Sequence, residues 1–272
     1  MQTLKVGVDV VCDKTIKGKG VSLLENKNGW HGKVISKEQM DTALTELGNV
    51  DKNIRGEILN PEQVNLPEKG IEKYDKIPME SGKIATRKAY GNTLINIFSK
   101  YPQIVVLDAE VSNSTFSMIF KKRFPQRFFE MFIAEQNMVG TALGLSLRGK
   151  IPFISTFAAF LTRAFDQIRM SQYSKSNIKF VGSHSGVSIG EDGASQMGLE
   201  DIAMFRTLLE CVVLYPADGI STEKLVEKAA AHFGNVYIRT TRMDTPIIYS
   251  DKDDFIIGGS KVVKESSNDA VT

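Results

Sequence analysis

Residues 127–156 read RFFEMFIAEQNMVGTALGLSLRGKIPFIST, and the division of this stretch decides the fold. An apolar run at 127–134 gives way to a small-residue helical stretch, QNMVGTALGLSLRG at 136–149. A second apolar run, IPFIST at 151–156, follows. Runs of roughly 4–8 apolar residues alternating with helical stretches of roughly 10–18 describe βαβ units around a parallel sheet covered on both faces. The same alternation continues outward. On the amino-terminal side lie IATRKAYGNTLINIFSKY (84–101), QIVVLDAE (103–110) and NSTFSMIFKKRF (113–124). On the carboxyl side lie AAFLTRAFDQIRMSQYSKS (158–176), IKFVGS (178–183), LEDIAMFRTLL (199–209), CVVLYPA (211–217), STEKLVEKAAAHFG (221–234) and VYIRTT (236–241). The reading is an α/β fold: a doubly wound, mostly parallel sheet with helices on both faces, over residues 84–245.

The flanks have a different texture. Residues 1–46 hold a short strand (Val6–Val11), a KGKG turn, a WHGK loop and a small helix from Ser36 to Leu47, with Ser36 and Gln39 spaced as a capping box. That segment has too few apolar residues to close a core. Residues 47–83 are polar and proline-bearing without a sustained period, as in a linker. Residues 246–272 read as the start of a further unit.

The chain has 272 residues, 42% of them hydrophobic and 24% charged, with a formal charge of +2. This is the composition of a globular protein with no basic face for nucleic acid. Cys12 and Cys211 are the only cysteines and form no metal-type spacing, which fits a reducing compartment. Lys5 and Asp9 interrupt the apolar run a signal peptide would need, and no stretch reaches the roughly 20 apolar residues of a membrane span, so the expectation is cytoplasmic.

In open parallel sheets ligands bind beyond the carboxyl ends of the strands. There the chain places Asp108 to Ser114, Glu135, Phe157, His184 and Arg242. Glu135 follows an apolar run and is flanked by Phe132, Ile133, Met138 and Val139, so a buried carboxylate in need of a partner is expected. Gly140 and Gly144 share one stripe of its helix, which suits close approach of another backbone at a subunit contact. Phe157, Phe160 and Ala164 share one face at helical spacing. The loop GSHSGVSIGEDG at 182–193 lets backbone approach a ligand closely, with His184 and Asp192 as its acid, base or hydroxyl-binding groups.

Taken in order, WHGK, ATRKA, IAEQNM, STFAAF, SHSGVSIGEDG, SQM and IRTTR resemble transketolase over residues 14–263. The resemblance implies transfer of a two-carbon ketol unit from a ketose phosphate to an aldose phosphate, as in pentose phosphate metabolism, with thiamine diphosphate and Mg²⁺ as cofactors. It implies a homodimer with the site at the subunit interface, with no nucleic-acid or membrane partner. Glu135 matches the glutamate that hydrogen-bonds the pyrimidine N1′ of the cofactor and so assists removal of the thiazolium C2 proton. Phe160 matches the ring packed on the pyrimidine, Phe157 lines the same pocket, and Gln196 matches a glutamine or histidine near that ring. Lys17 and His31 match the lysine and histidine beside the diphosphate, His31 also reaching substrate. His184 and Asp192 match the groups that bind the donor's hydroxyls, and Arg87, Ser114 and Arg242 match the sugar-phosphate grip.

Relative to that pattern, Ala194 stands where a proline usually follows GEDG, which loosens the loop. The stretch GDG…N that holds Mg²⁺ and the diphosphate has no counterpart, so no metal ligand is expected in this chain. The implied domains are the end of a diphosphate-binding domain (1–46), a linker (47–83), the pyrimidine-binding domain (84–245) and the start of a C-terminal domain (246–272). The chain then reads as a gene fragment, a truncated piece or one part of a split enzyme. Two alternatives share features. Deoxyxylulose-phosphate synthase has a similar EQ and STF pattern but a DRAG-like loop where this chain has SHSG. A transketolase-like interaction subunit without catalysis would keep the fold alone.

Overall fold

The structure, a computed structural model, describes residues 15–30, 32–49, 51–54, 74–260, 262 and 264–268. Contacts divide the chain into two compact units, residues 1–67 and 68–272. In the first, helix α1 (Lys37–Leu47) starts at Ser36, whose side chain accepts from the Gln39 backbone while Gln39 returns the bond to Ser36. This is the expected capping box. Glu46 of α1 accepts from the Ser22 hydroxyl at 2.5 Å and from the Ser22 amide at 2.6 Å, tying the preceding turns to the helix. The expected strand at Val6–Val11 lies outside the described residues.

In the second unit, six strands form one parallel sheet: β2 (Ile104–Asp108), β3 (Phe128–Glu130), β4 (Ile151–Phe157), β5 (Lys179–Ser183), β6 (Val212–Leu214) and β7 (Val236–Arg239), in the order β3-β2-β4-β5-β7-β6. Every pairing in it is parallel. A separate antiparallel pair joins β1 (Lys83–Ala85) to β8 (Asp244–Pro246), which periodicity did not suggest.

Strand side chains alternate between two cores, as the period of two requires. Val106, Phe153 and Val181 enter one core with Tyr90, Leu94 and Phe98 of α2 (Thr86–Phe98) and Val226 of α8 (Gly219–Ala231). Leu107, Ile154 and Phe180 enter the other with Met138 of α5 (Glu135–Leu147), Ile168 of α6 (Phe165–Tyr173) and Phe205 of α7 (Asp201–Arg206). The central strands β2, β4 and β5 are thus covered on both faces. Asp218 caps α8, its Oδ1 accepting from the Ser221 amide at 2.8 Å. Its Oδ2 accepts from the amides of Ile248 and Tyr249, which fixes the chain after β8.

Three elements depart from the expected pattern. The apolar run 127–134 is a strand only to Glu130, because Phe132 takes φ 55° and turns the chain, leaving Phe132 66% and Ile133 73% exposed. NSTFSMIFKKRF is two short helices, α3 (Ser112–Thr115) and α4 (Met118–Arg123), broken where Phe116 takes φ 61°. Residues Ala158–Ala164 form 3-10 turns rather than α-helix, and Phe157 is the last residue of β4. Phe157 and Phe160 therefore meet through a strand end and a tight turn rather than along one helical face.

Candidate functional site

The chain crosses from β2 to β3 on one side and then returns past β2 to β4 on the other. The carboxyl ends of β2 and β4 therefore flank a topological switch point, where open α/β sheets form their ligand crevice. Asp108 ends β2 fully buried. Its Oδ1 accepts from the Val111 amide at 2.7 Å and its Oδ2 from the hydroxyls of Thr115 (2.7 Å) and Ser117 (2.8 Å). Burial pushes this acid up to about 7, against the pull of those bonds. Its work is to fold the turn that carries Ser114. The Ser114 carbonyl accepts from Arg87 Nη1 at 2.6 Å, and Arg87 Nε donates to the carbonyl of Arg242 at 3.1 Å. The Arg87 guanidinium also lies 4.9 Å over the Phe116 ring. Arg87, Ser114 and Arg242 are thus assembled from three distant parts of the sequence, as expected. Burial, then repulsion from Arg242, lowers the Arg87 pKa from its usual value, with Asp244 and Asp192 opposing.

At the neighbouring strand ends the rings line up. Phe157 pairs in register with Ser183, so His184 follows directly beside it. The two rings stack at 4.0 Å between centroids and 13° between planes, and Phe160 stacks on Phe157 at 5.1 Å and 6°. His184 takes φ 55°, a conformation uncommon for a side-chain-bearing residue, and its Nδ1 lies 3.0 Å from the Ser183 hydroxyl. Burial first, then the Arg87 charge, brings its pKa down to about 4, with Asp192 opposing and Arg242 adding to the fall. The imidazole is neutral at neutral pH, a hydrogen-bonding group rather than a cation.

The row continues past Phe160. The Arg163 guanidinium lies 4.4 Å over the Phe160 ring, and its Nη1 donates to Glu135 Oε1 at 2.6 Å. Glu135 opens α5 with its side chain 4% exposed, so the expected buried carboxylate is there and its partner within the chain is Arg163. Among the described residues no hydrogen bond is formed by Glu135 Oε2. Gln196 sits in a turn, Ala194–Gln196, that packs on the Ala158–Ala164 turn. Gly198 is required there, since a Cβ would come within 2.6 Å of the Ala158 Cβ.

Arg242 closes the loop over the strand ends. Its Nη1 donates to the Ile189 carbonyl, its Nη2 reaches Glu191 Oε1 at 2.5 Å, and Asp192 Oδ2 lies 3.6 Å from Nη1. Glu191 holds the Arg242 pKa above its usual value, and Arg242 in turn lowers that of Glu191. One carboxyl-edge region thus combines a buried acid, stacked rings, a neutral imidazole and three guanidiniums. That set can hold a flat heterocycle beside an anionic, hydroxylated substrate.

The sequence of residues 82–247 matches the family described as transketolase, pyrimidine binding domain. The chain belongs to the transketolase family. It is 48% identical to the transketolase of Homo sapiens over 264 residues, covering 95% of this chain and 42% of the human protein. The chain therefore spans less than half the length of that relative. Among solved structures it resembles a split-gene transketolase described as an inactive beta4 tetramer, at 48% identity and TM-score 0.60, over 67% of this chain and 59% of that one. It also resembles the transketolase of Leishmania mexicana at 26% identity and TM-score 0.58, over 63% of this chain and 27% of that one.

Of the expected site residues, Glu135, Phe157, Phe160, His184, Asp192, Gln196, Arg87, Ser114 and Arg242 all lie on the second unit at this sheet edge. Ser114 enters through its backbone carbonyl. Lys17 belongs to the first unit, in an exposed turn where its carbonyl accepts from the Asn26 amide at 2.9 Å. His31 lies outside the described residues. Arg163 and Glu191 were missed. Arg163 falls in STFAAFLTRAF, where its place after Phe160 carried a signal only if the segment turned tightly. Glu191 stood in the GEDG loop already singled out.

Proposed function

We propose that this chain carries the pyrimidine-binding part of a thiamine diphosphate-dependent transketolase site, passing a two-carbon ketol unit from a ketose phosphate to an aldose phosphate. The observation that carries the reading is the continuous row His184, Phe157, Phe160, Arg163 and Glu135, ending in a buried carboxylate with one oxygen free of hydrogen bonds among the described residues. A flat ring with a nitrogen at its edge fits that place. Phe160 offers an aromatic surface, and Glu135 Oε2 offers the acceptor. When bound, thiamine diphosphate supplies the electron sink on which the ketol unit is carried.

The roles of the chain's own groups follow from their settings. Glu135 holds the pyrimidine N1′ edge and shares a proton there. Phe157 and Gln196 support the ring that Phe160 packs. His184, neutral because it is buried, exchanges hydrogen bonds with the donor's hydroxyls, helped by Asp192. Arg87 and Arg242 set the phosphate of the sugar, a job suited to the guanidinium fork. Lys17 and His31 are assigned to the diphosphate, and His31 also to substrate. Among the described residues no three His, Cys, Asp or Glu side chains gather, and the ligands of Mg²⁺ are assigned to the GDG…N stretch of the family, which has no counterpart in this sequence.

Residues 84–245 then form the pyrimidine-binding domain, with 1–46 the end of its predecessor, 47–83 the linker and 246–272 the start of the next domain. The exposed Phe132 and Ile133, and the bare Gly140–Gly144 face of α5 where an added Cβ would meet nothing, support a subunit contact completing the site. Likeness to a split-gene relative supports an enzyme assembled from more than one polypeptide. The test is Glu135→Gln in the assembled enzyme. Turnover should fall by roughly 10²–10⁴ with the fold intact by circular dichroism. Near-wild-type turnover at saturating cofactor overturns the proposal.

A further inference from the structure

Glu135 is not waiting bare. Its Oε1 is held by Arg163 Nη1 at 2.6 Å, and the same guanidinium covers the Phe160 ring at 4.4 Å. The Phe160 face is a contact assigned above to the cofactor's ring, and Oε1 is the second oxygen of the carboxyl whose Oε2 is assigned to it. We propose that Arg163 is a placeholder for the pyrimidine, so that loading is an exchange at Glu135 and Phe160 rather than entry into an open pocket. The inference rests on the pyrimidine assignment made under the proposed function.

The placeholder has a physical cause. A carboxylate 4% exposed is costly to leave unpaired, and a charged donor on one oxygen removes most of that penalty. The planar guanidinium also stacks on an aromatic face much as a heterocycle does. The asymmetry of burial shows which partner moves. The Arg163 side chain is 49% exposed, so it can swing to water, whereas Glu135, 4% exposed at the start of α5, cannot follow.

The backbone of Arg163 stays put. Its carbonyl accepts from Gln136 Nε2 at 3.1 Å, and its neighbours Leu161 and Ala164 are fully buried. The Glu135 carboxyl would trade its guanidinium partner on Oε1 for the ring nitrogen on Oε2, and Phe160 a guanidinium for an aromatic face. The apparent affinity for the pyrimidine is then reduced by the fraction of molecules in which Arg163 is in place. A different arrangement, in which Arg163 stays on Oε1 and aims Oε2 at the ring, makes the opposite prediction.

The test titrates the 272-residue chain with thiamine, which carries the pyrimidine without the diphosphate, following amide resonances by NMR. Arg163→Met keeps the stem over Phe160 and removes the charge. It should bind thiamine up to about fivefold more tightly than wild type, the range expected when a partly exposed ion pair is removed from competition. A merely structural role would loosen binding instead. Equal or weaker binding by Arg163→Met overturns the exchange, and Arg163→Gln serves as a second variant should the methionine chain fail to fold.

Glu135→Ala separates the two readings. Loss of thiamine binding in it, with no gain in Arg163→Met, rejects the placeholder and leaves the pyrimidine assignment standing. Wild-type binding by Glu135→Ala rejects the assignment and the placeholder with it. Both are rejected as well if thiamine shifts no resonance of any chain up to its solubility.

Discussion

Single residues set the charge at the strand ends, and two of them make measurable claims. His184 has a folded pKa of about 4 against 6.5 in its ordinary state, because burial and then Arg87 disfavour its cation. Between those values the unfolded chain takes up a proton that the folded chain refuses. Stability from this group is therefore complete above about pH 6.5 and is lost as pH falls toward 4. Urea midpoints at pH 7 and pH 5 should differ more in wild type than in His184→Gln. Asp108, pushed up to about 7, titrates with the opposite sign but in both chains, so it cancels in the comparison. Equal pH slopes in the two chains would show that His184 is not held neutral. Arg242 makes the second claim. A charged hydrogen bond to phosphate is worth roughly 1.5–3 kcal/mol. In the assembled enzyme Arg242→Ala should raise KM for phosphorylated ketoses about 10- to 100-fold while sparing unphosphorylated hydroxypyruvate. An equal loss on both donors would mean that Arg242 does not read the phosphate, and that its bond to Glu191 serves only the loop.

At the scale of elements, close approach of helix α2 to the turn after β2 brings Arg87 to Ser114. Gly91 makes that approach possible, since a Cβ there would run into the Phe116 carbonyl oxygen, which is backbone and cannot swing aside. Gly91→Ala should lower stability by about 1–3 kcal/mol, as overpacking does, read as a fall in the urea midpoint at unchanged slope. A midpoint equal to wild type would mean that α2 and the turn are not locked together. The alternation of apolar strands and helices was legible because both faces of a parallel sheet are buried. Element ends were not. Phe132 and Phe116 each take positive φ, 55° and 61°, in runs whose composition argued for an unbroken strand and an unbroken helix. Hydrophobicity reports what can be buried, and Phe132 is instead left open beside Ile133, where a partner surface would cover both.

For the whole molecule, the chain spans 42% of the human transketolase to which it is 48% identical. Most of the charge on thiamine diphosphate is in its diphosphate, whereas the contacts proposed above on the second unit are to the pyrimidine. The isolated chain should therefore bind the cofactor weakly and turn over no sugar phosphate. Calorimetry with thiamine diphosphate and Mg²⁺ measures this, and a micromolar Kd would overturn it. Among the described residues no helix is long and apolar enough to cross a membrane.

The sequence alone determined the α/β layering, the parallel sheet and the row of polar and aromatic residues at its carboxyl edge, because these follow from periodicity and from the residue types that end each strand. It also required a partner for Glu135, since a buried carboxylate demands one. Which residue answers that demand was decided by tertiary structure. Arg163 is brought onto Glu135 by a 3-10 turn between β4 and α6, a compact path that an α-helical reading of the same letters would have replaced. The joining of Arg87 to Arg242 across the sheet edge is likewise tertiary, for no local pattern couples residues so far apart.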